Sequence, residues 1–170
     1  PEAQVTAAKP GRYHLEYKHA GNPVVSILIT AGEHLSKLQR CIEGLLESTA
    51  YQTFEILLVE SHPLDQAVHE WLLALAELQE AKLRVVQSAS QNMSAMFNEA
   101  ANQASGDYLL FLASDTATLE EGWLDNLLNH AQRAEVGGVG GRLLTPDGKI
   151  AQAIQILGLQ GPVGNPYVGE

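Results

Sequence analysis

Cysteine is nearly absent from this chain. Cys41 is the single one among 170 residues, which excludes an intramolecular disulfide and a cysteine-built zinc cluster and agrees with a reducing compartment. It lies between Arg40 and Ile42 inside a helical pattern and reads as a buried packing residue. Positive charge is scarce as well: 10 Lys and Arg stand against 20 Asp and Glu, giving a net charge of −10 and a pI near 5.0. Nucleic acid and anionic membrane surfaces both demand a basic face, so neither is an expected partner; only a small local cationic site stays open. No apolar run approaches the roughly 18 residues that a bilayer span requires, and the N-terminus lacks a basic-then-apolar secretory signal. The cytosol is therefore the expected location. Phosphate cradles of the GxGxxG or GxxxxGK[ST] kind are missing, which disfavours dinucleotide binding and P-loop hydrolysis. The six histidines form no HxxxH spacing, and no GxSxG elbow is present.

What remains is an ordinary globular composition, 45% apolar and 18% charged, in a length that buries roughly two-thirds of its unfolded surface without covalent staples. One domain is expected, with residues 1–22 as a polar lead-in whose patch Tyr13–Tyr17 alternates like an edge strand. From residue 23 a rhythm sets in. Val24-Val25-Ser26-Ile27-Leu28-Ile29 reads as a strand buried on both faces, and Leu35, Leu38, Ile42, Leu45 and Leu46 recur at helical spacing over 34–48. The unit repeats three times. Phe54–Val59 is followed by a helix carrying Val68, Trp71, Leu72, Leu75 and Leu78, and Leu83–Val86 by a helix over about 92–104. Tyr108–Leu112 precedes a helix carrying Leu119, Trp123, Leu124, Leu127, Leu128 and Ala131. Met93, Met96 and Phe97 of the third helix read as core. Alternating strands and helices predict right-handed crossovers and a mainly parallel sheet in an α/β/α sandwich. Beyond residue 136 the pattern changes to Val-Gly-Gly-Val-Gly-Gly, and Pro146-Asp147-Gly148 marks a hairpin turn.

Parallel sheets collect ligands at the C-terminal ends of their strands. The four loops there are Thr30-Ala31-Gly32-Glu33, Glu60-Ser61-His62-Pro63-Leu64-Asp65, Ser88-Ala89-Ser90-Gln91-Asn92 and Ala113-Ser114-Asp115-Thr116. Asp115 is the most informative residue. A carboxylate directly after an apolar strand suits a Mg²⁺ or Mn²⁺ ion bridging to phosphate oxygens, and equally suits the N-cap or Asx turn of the next helix. Glu60 ends its strand in the same way and either accepts hydrogen bonds from a nucleobase or ribose or is simply solvated. His62 and Asp65 read as an exposed loop histidine and its neighbour, with a catalytic pair as the sharper alternative.

With these loops placed, the chain resembles the inverting family 2 glycosyltransferases of GT-A fold, especially the O-antigen and rhamnan-type enzymes, over about residues 10–168. The markers are Pro10-Gly11-Arg12-Tyr13, Pro23–Ile29, Ser48–Ile56, Asn92-Met93-Ser94-Ala95 with Asn98, Ala104–Leu112, Gly122-Trp123-Leu124, Val136–Leu144 and Pro146–Ile150. Each is weak; their order and spacing together are specific.

The resemblance implies a nucleoside-diphosphate sugar as donor, a glycan or lipid-linked saccharide as acceptor, and a divalent cation, Mg²⁺ or Mn²⁺. It implies Thr30, Gly32, Glu60, Asn92, Ser94 and Ser114 as nucleotide-sugar contacts and Asp115 as the metal ligand. It places the general base beyond residue 170, makes residues 23–170 a nucleotide-sugar-binding domain cut on its acceptor side, and allows a peripheral position at the inner membrane in a complete protein. The chain also departs from the family pattern. The acidic motif after the fourth strand keeps only Asp115, the segments after the first two strands read Thr30-Ala31-Gly32-Glu33 and Glu60-Ser61-His62-Pro63, and Ala151-Gln152-Ala153-Ile154 lacks the family's histidine. Framework markers survive better than site markers, so the alternative expectation is a catalytically degenerate glycosyltransferase-like binding or scaffold module. A receiver-type or flavodoxin-type domain is the third option, but the paired acids after the first strand that a receiver needs are missing.

Overall fold

The computed structural model describes residues 3–17, 19, 21–32, 34–61, 65–78, 81–153, 155–157 and 163–170. The chain divides into two compact units, Ala20–Asp125 and a second formed by Pro1–His19 with Asn126–Glu170.

The first unit is the expected α/β layer structure. Its strands are β3 (Val25–Thr30), β4 (Phe54–Ser61), β5 (Leu83–Ser88) and β6 (Tyr108–Leu112), hydrogen-bonded in the order β5-β4-β3-β6 and all parallel. Between them run α1 (Leu35–Glu47), α2 (Gln66–Leu78) and α3 (Met93–Ala101). β3 and β4 are continuous apolar runs because both their faces are covered: Ile27, Leu28, Ile29, Ile56, Leu57, Leu58 and Val59 are all fully buried. Alternation sends Leu28, Leu57 and Val59 to one face, where they pack with Val86 and with Met96 and Ala100 of α3. Leu38, Cys41, Ile42 and Leu45 form the buried stripe of α1 at the spacing of a half-buried helix. Cys41 is the packing residue its context suggested. β6 is an edge strand, and its Leu109 and Phe111 stay half exposed.

The base of the sheet is tied by a polar network. Glu55 Oε1 accepts from Ser26 Oγ at 2.6 Å, Ser105 N at 2.7 Å and Ser105 Oγ at 2.8 Å, while Arg84 Nη2 reaches Oε2 at 3.1 Å. Gly106 N donates to Ser26 Oγ at 2.9 Å. A Cβ at Gly106 would stand 2.7 Å from Ser26 N and 2.9 Å from Val24 O, so only glycine lets the chain enter β6 this close to β3.

Two sequence expectations shift. The helix expected to include Leu119 begins only at Trp123 and ends at Ala131 (α4). Leu119 is 78% exposed, because the chain turns through Glu120–Gly122 and Trp123 is anchored by its indole N–H on Thr49 Oγ1 at 3.1 Å. Met93, expected in the core, is 61% exposed, since the first residue of α3 faces the loop end of the layer rather than the sheet.

In the second unit, β1 (Ala3–Lys9) and β2 (Arg12–Tyr17) form an antiparallel hairpin, so the alternating patch does pair as a strand. The Asn129 side chain clamps it, accepting from Tyr17 N at 2.7 Å and donating to Leu15 O at 2.8 Å. Arg133 lies over the Tyr17 ring at 4.8 Å. β7 (Leu143–Leu144) and β8 (Ile150–Gln152) are the arms of the hairpin predicted around Pro146-Asp147-Gly148, and β9 (Ile156–Leu157) pairs with β10 (Val163–Gly164).

Candidate functional site

In the order β5-β4-β3-β6 the chain leaves β3 in one direction to build β4 and β5, then crosses back to place β6 on the other side of β3. The loops after β3 and β6 therefore diverge, and a crevice opens between them at the topological switch point. A cavity of about 470 Å³ lies there, within the range of small-molecule sites. Thr30, Ala31 and Gly32 supply one wall and Leu112, Ala113, Ser114 and Asp115 the facing one. The two walls nearly touch at their base: a Cβ on Gly32 would fall 2.7 Å from Ser114 Oγ, so the hydroxyl sits where any larger residue would project. Four of the expected site residues, Thr30, Gly32, Ser114 and Asp115, are thus brought together.

Asp115 occupies a tight turn closed by Thr116 N donating to Ala113 O at 3.1 Å. α4 starts only at Trp123, so Asp115 is not its N-cap. The residue is exposed and lines the cavity. Its charge is felt behind the wall as well: burial first, and then the Asp115 carboxylate, push the Cys41 thiol up to about 11, against weaker opposition from a Thr116 backbone hydrogen bond and from Arg40.

The other expected contacts lie elsewhere. Asn92 is the N-cap of α3, its Oδ1 accepting from Ser94 N at 3.0 Å and Ala95 N at 3.2 Å. Ser94 is exposed in the first turn and does not line the cavity, whereas Gln91 and Met93 on either side of Asn92 do. Glu60 is fully buried rather than solvated, and its carboxylate is occupied inside the protein, Oε1 by His69 Nδ1 of α2 and Oε2 by the Gln87 amide of β5. Asp65 caps α2, accepting from Ala67 N at 2.9 Å. His62, its suggested partner, lies outside the described residues, as does Glu33.

Sequence reading overlooked the third wall and the fourth. His34 and Lys37, at the start of α1, also line the cavity. Met93, Met96, Phe97 and Phe111 form an apolar side, with Phe97 and Phe111 edge to face at 5.1 Å. The signal for Lys37 was available: the first turn of α1 contains no acidic residue, and His34 makes no side-chain cap, although a helix N-terminus favours negative charge there. The apolar side was not separable from core by periodicity, because Met96 and Phe97 serve both.

The donor set also bears on the expected cation. Among the described residues no three His, Cys, Asp or Glu side chains cluster in a way that would hold a metal. Asp115 offers one carboxylate with the Ser114 hydroxyl beside it. That fits an ion of the Mg²⁺ type, which takes one or two carboxylates and completes its shell from substrate phosphates and water, and does not fit a resident all-protein cage.

Comparison with known proteins agrees with this architecture. The family model described as "Glycosyl transferase family 2" matches residues 26–158. The O-antigen biosynthesis protein RfbC of Myxococcus xanthus is 36% identical over 165 residues, covering 97% of this chain but only 13% of that relative. Among solved structures, the mannosyltransferase PcManGT of Pyrobaculum calidifontis, determined in complex with GDP-Man and Mn²⁺, aligns with a TM-score of 0.62 at 16% identity, over 69% of this chain and 35% of its own. S. aureus TarS with UDP-GlcNAc aligns with a TM-score of 0.52 at 19% identity, over 71% of this chain and 36% of its own. At those identities the two structures speak for the fold alone.

Proposed function

Since this chain belongs to glycosyl transferase family 2, we propose that the crevice between the β3 and β6 loops holds the diphosphate of a nucleoside-diphosphate sugar, and that the domain serves transfer of that sugar to a glycan or lipid-linked acceptor. The observation that supports it most is the convergence of Gly32, Ser114 and Asp115 at the switch point. In the transfer, an acceptor hydroxyl oxygen attacks the anomeric carbon and the bond from that carbon to the phosphate oxygen breaks. The nucleoside diphosphate leaves with the electron pair, and the hydroxyl proton passes to a general base to which we assign no residue of this chain. An attack opposite the leaving group inverts the anomeric centre.

The residues divide the work. Gly32 lets the Ser114 hydroxyl come up against the backbone at the base of the crevice, and that hydroxyl and Thr30 offer hydrogen bonds to the diphosphate. A divalent ion, when bound with the donor, would be held by Asp115 and would neutralise charge on the leaving group. Met93, Phe97 and Phe111 give the cavity an apolar side.

Thermal unfolding with millimolar UDP, GDP or dTDP and Mn²⁺ tests the proposal, because a ligand of the native state at about 100 times its Kd adds about 2.7 kcal/mol of stability. At least one diphosphate is expected to raise the Tm, and Asp115→Ala to remove the Mn²⁺-dependent part of the rise. Silence with all three nucleotides would refute it. Two observations favour a second reading, a binding module without turnover: Glu60 spends its carboxylate on His69 and Gln87, and Asp115 is the one carboxylate among the described residues that line the cavity. Sugar transfer or donor hydrolysis by a longer protein containing this chain would dispose of that reading.

A further inference from the structure

Lys37 is the lone Lys or Arg among the described residues that line the cavity, in a chain that carries 20 acids against 10 such cations. It is exposed, and among the described residues it lies within 4.0 Å of no carboxylate. Its position runs against local helix electrostatics. A cation in the first turn of α1 adds to the positive end of the peptide dipoles, and neither an acid in that turn nor a side-chain cap at His34 offsets it. Such a conflict between local preference and observed sequence is expected where function dictates the residue. Asp115, which lines the same cavity, is a single negative charge and would repel a diphosphate that arrived without a counter-ion.

We infer that Lys37 is the primary diphosphate anchor of this cavity, holding the two phosphates by direct charge-assisted hydrogen bonds so that binding persists when divalent cations are removed. The inference rests on the nucleotide-sugar reading for the identity of the ligand, but the anchor itself requires only a diphosphate. Lysine suits the task as a compact point charge on a flexible stem that can follow the phosphates as the donor is cleaved. Asp115 with its ion then adds to an anchor that already exists. The chemistry that distinguishes the two contributors is simple: a chelator removes the ion and leaves the ammonium in place.

Isothermal titration calorimetry with inorganic pyrophosphate, and separately with UDP, GDP and dTDP, in EDTA and in Mn²⁺, provides the test. Wild-type protein is expected to bind pyrophosphate in EDTA. Lys37→Met should weaken that binding by about tenfold or more, the loss of one charge-assisted hydrogen bond. Lys37→Arg should stay within about threefold of wild type, since the charge remains. Asp115→Asn should bind pyrophosphate in EDTA as well as wild type or better, and Lys82→Met, a cation at the far end of the sheet, should change nothing. Unchanged circular dichroism and Tm would separate lost binding from lost folding, because Lys37 is a surface residue. The inference is overturned if wild type binds no pyrophosphate in EDTA, or if Lys37→Met binds it as tightly as wild type. If pyrophosphate binds through Lys37 but none of the three nucleotides does, the anchor stands and the nucleotide-sugar reading falls.

Discussion

Replacing Glu55 by glutamine tests whether the polar knot at the base of the sheet contributes stability through its charge or merely through its shape. The substitution keeps the size of the side chain and one acceptor oxygen. The three donors on Oε1, Ser26 Oγ, Ser105 N and Ser105 Oγ, then face a neutral amide oxygen in place of a carboxylate. Hydrogen bonds to charged groups contribute about 1.5–3 kcal/mol and neutral ones about 1, so three weakened bonds remove about 1.5 kcal/mol. The Arg84 contact on Oε2 adds about 0.5 kcal/mol, discounted because the guanidinium is 44% exposed. The expected loss is about 2 kcal/mol, or about 4–8 °C in Tm for a chain of this size. Urea unfolding followed by the fluorescence of Trp71 and Trp123, both in the unit that contains the knot, measures it. The pH dependence makes the test specific. Burial alone would raise the Glu55 carboxyl, but the Ser26 and Ser105 hydrogen bonds and the Arg84 charge outweigh it and hold it below its ordinary value of 4.5. A depressed folded value means the charge contribution is complete above 4.5 and lost as pH falls through the folded value. The wild-type advantage over Glu55→Gln should therefore shrink between pH 5 and about pH 3. A gap of equal size at both ends of that range, or one below about 0.5 kcal/mol at pH 7, would show that charge is not what the knot supplies.

Two further outcomes follow from the site. Asn92→Ala should cost about 1 kcal/mol of stability, the usual loss of an N-cap, with little change in nucleotide affinity; a large affinity loss at unchanged stability would return Asn92 to the list of ligand contacts. Cys41, buried and pushed up to about 11, should resist iodoacetamide in the native protein at pH 7.5 and react on unfolding in urea. Asp115→Asn should lower its thiol value, since the Asp115 charge is one of the two causes that raise it; rapid native-state labelling would contradict the burial of this helix face.

Much of this fold is readable from the chain because its dominant interactions are local in sequence. β3 and β4 are unbroken apolar runs, and α1 shows its buried stripe as Leu38, Cys41, Ile42 and Leu45, so periodicity alone separates strand from helix. Pro146-Asp147-Gly148 announces its hairpin through turn chemistry. The site divides differently. Thr30, Gly32, Ser114 and Asp115 were foreseeable as neighbours at one cavity because strand ends in a parallel sheet converge by topology. Glu60 was not, because its partners His69 and Gln87 stand 9 and 27 residues away, and no local pattern distinguishes a carboxylate that ends a strand in solvent from one folded into a pair of donors. Asn92 and Asp65 illustrate the same ambiguity in a milder form: the oxygen that would hold a ligand is the oxygen that caps a helix. Lys37 went unread because attention to strand ends passes over the helix that begins just behind them.

The position of β6 at the rim of the sheet has a practical consequence. Natural edge strands are blunted by lysines, prolines or bulges against pairing with another molecule. β5, at the opposite rim, carries Arg84 within it and Lys82 just before it, while β6 reads Tyr-Leu-Leu-Phe-Leu without a charge. Copies that each carry a net charge of −10 repel one another, which opposes pairing of two such rims. That protection acts over about 10 Å at 0.1 M salt and contracts as salt is added. The acidic surplus that makes nucleic acid an unexpected partner thus also bears on the handling of this strand, and the isolated chain is best kept dilute, at low ionic strength and well above its isoelectric pH.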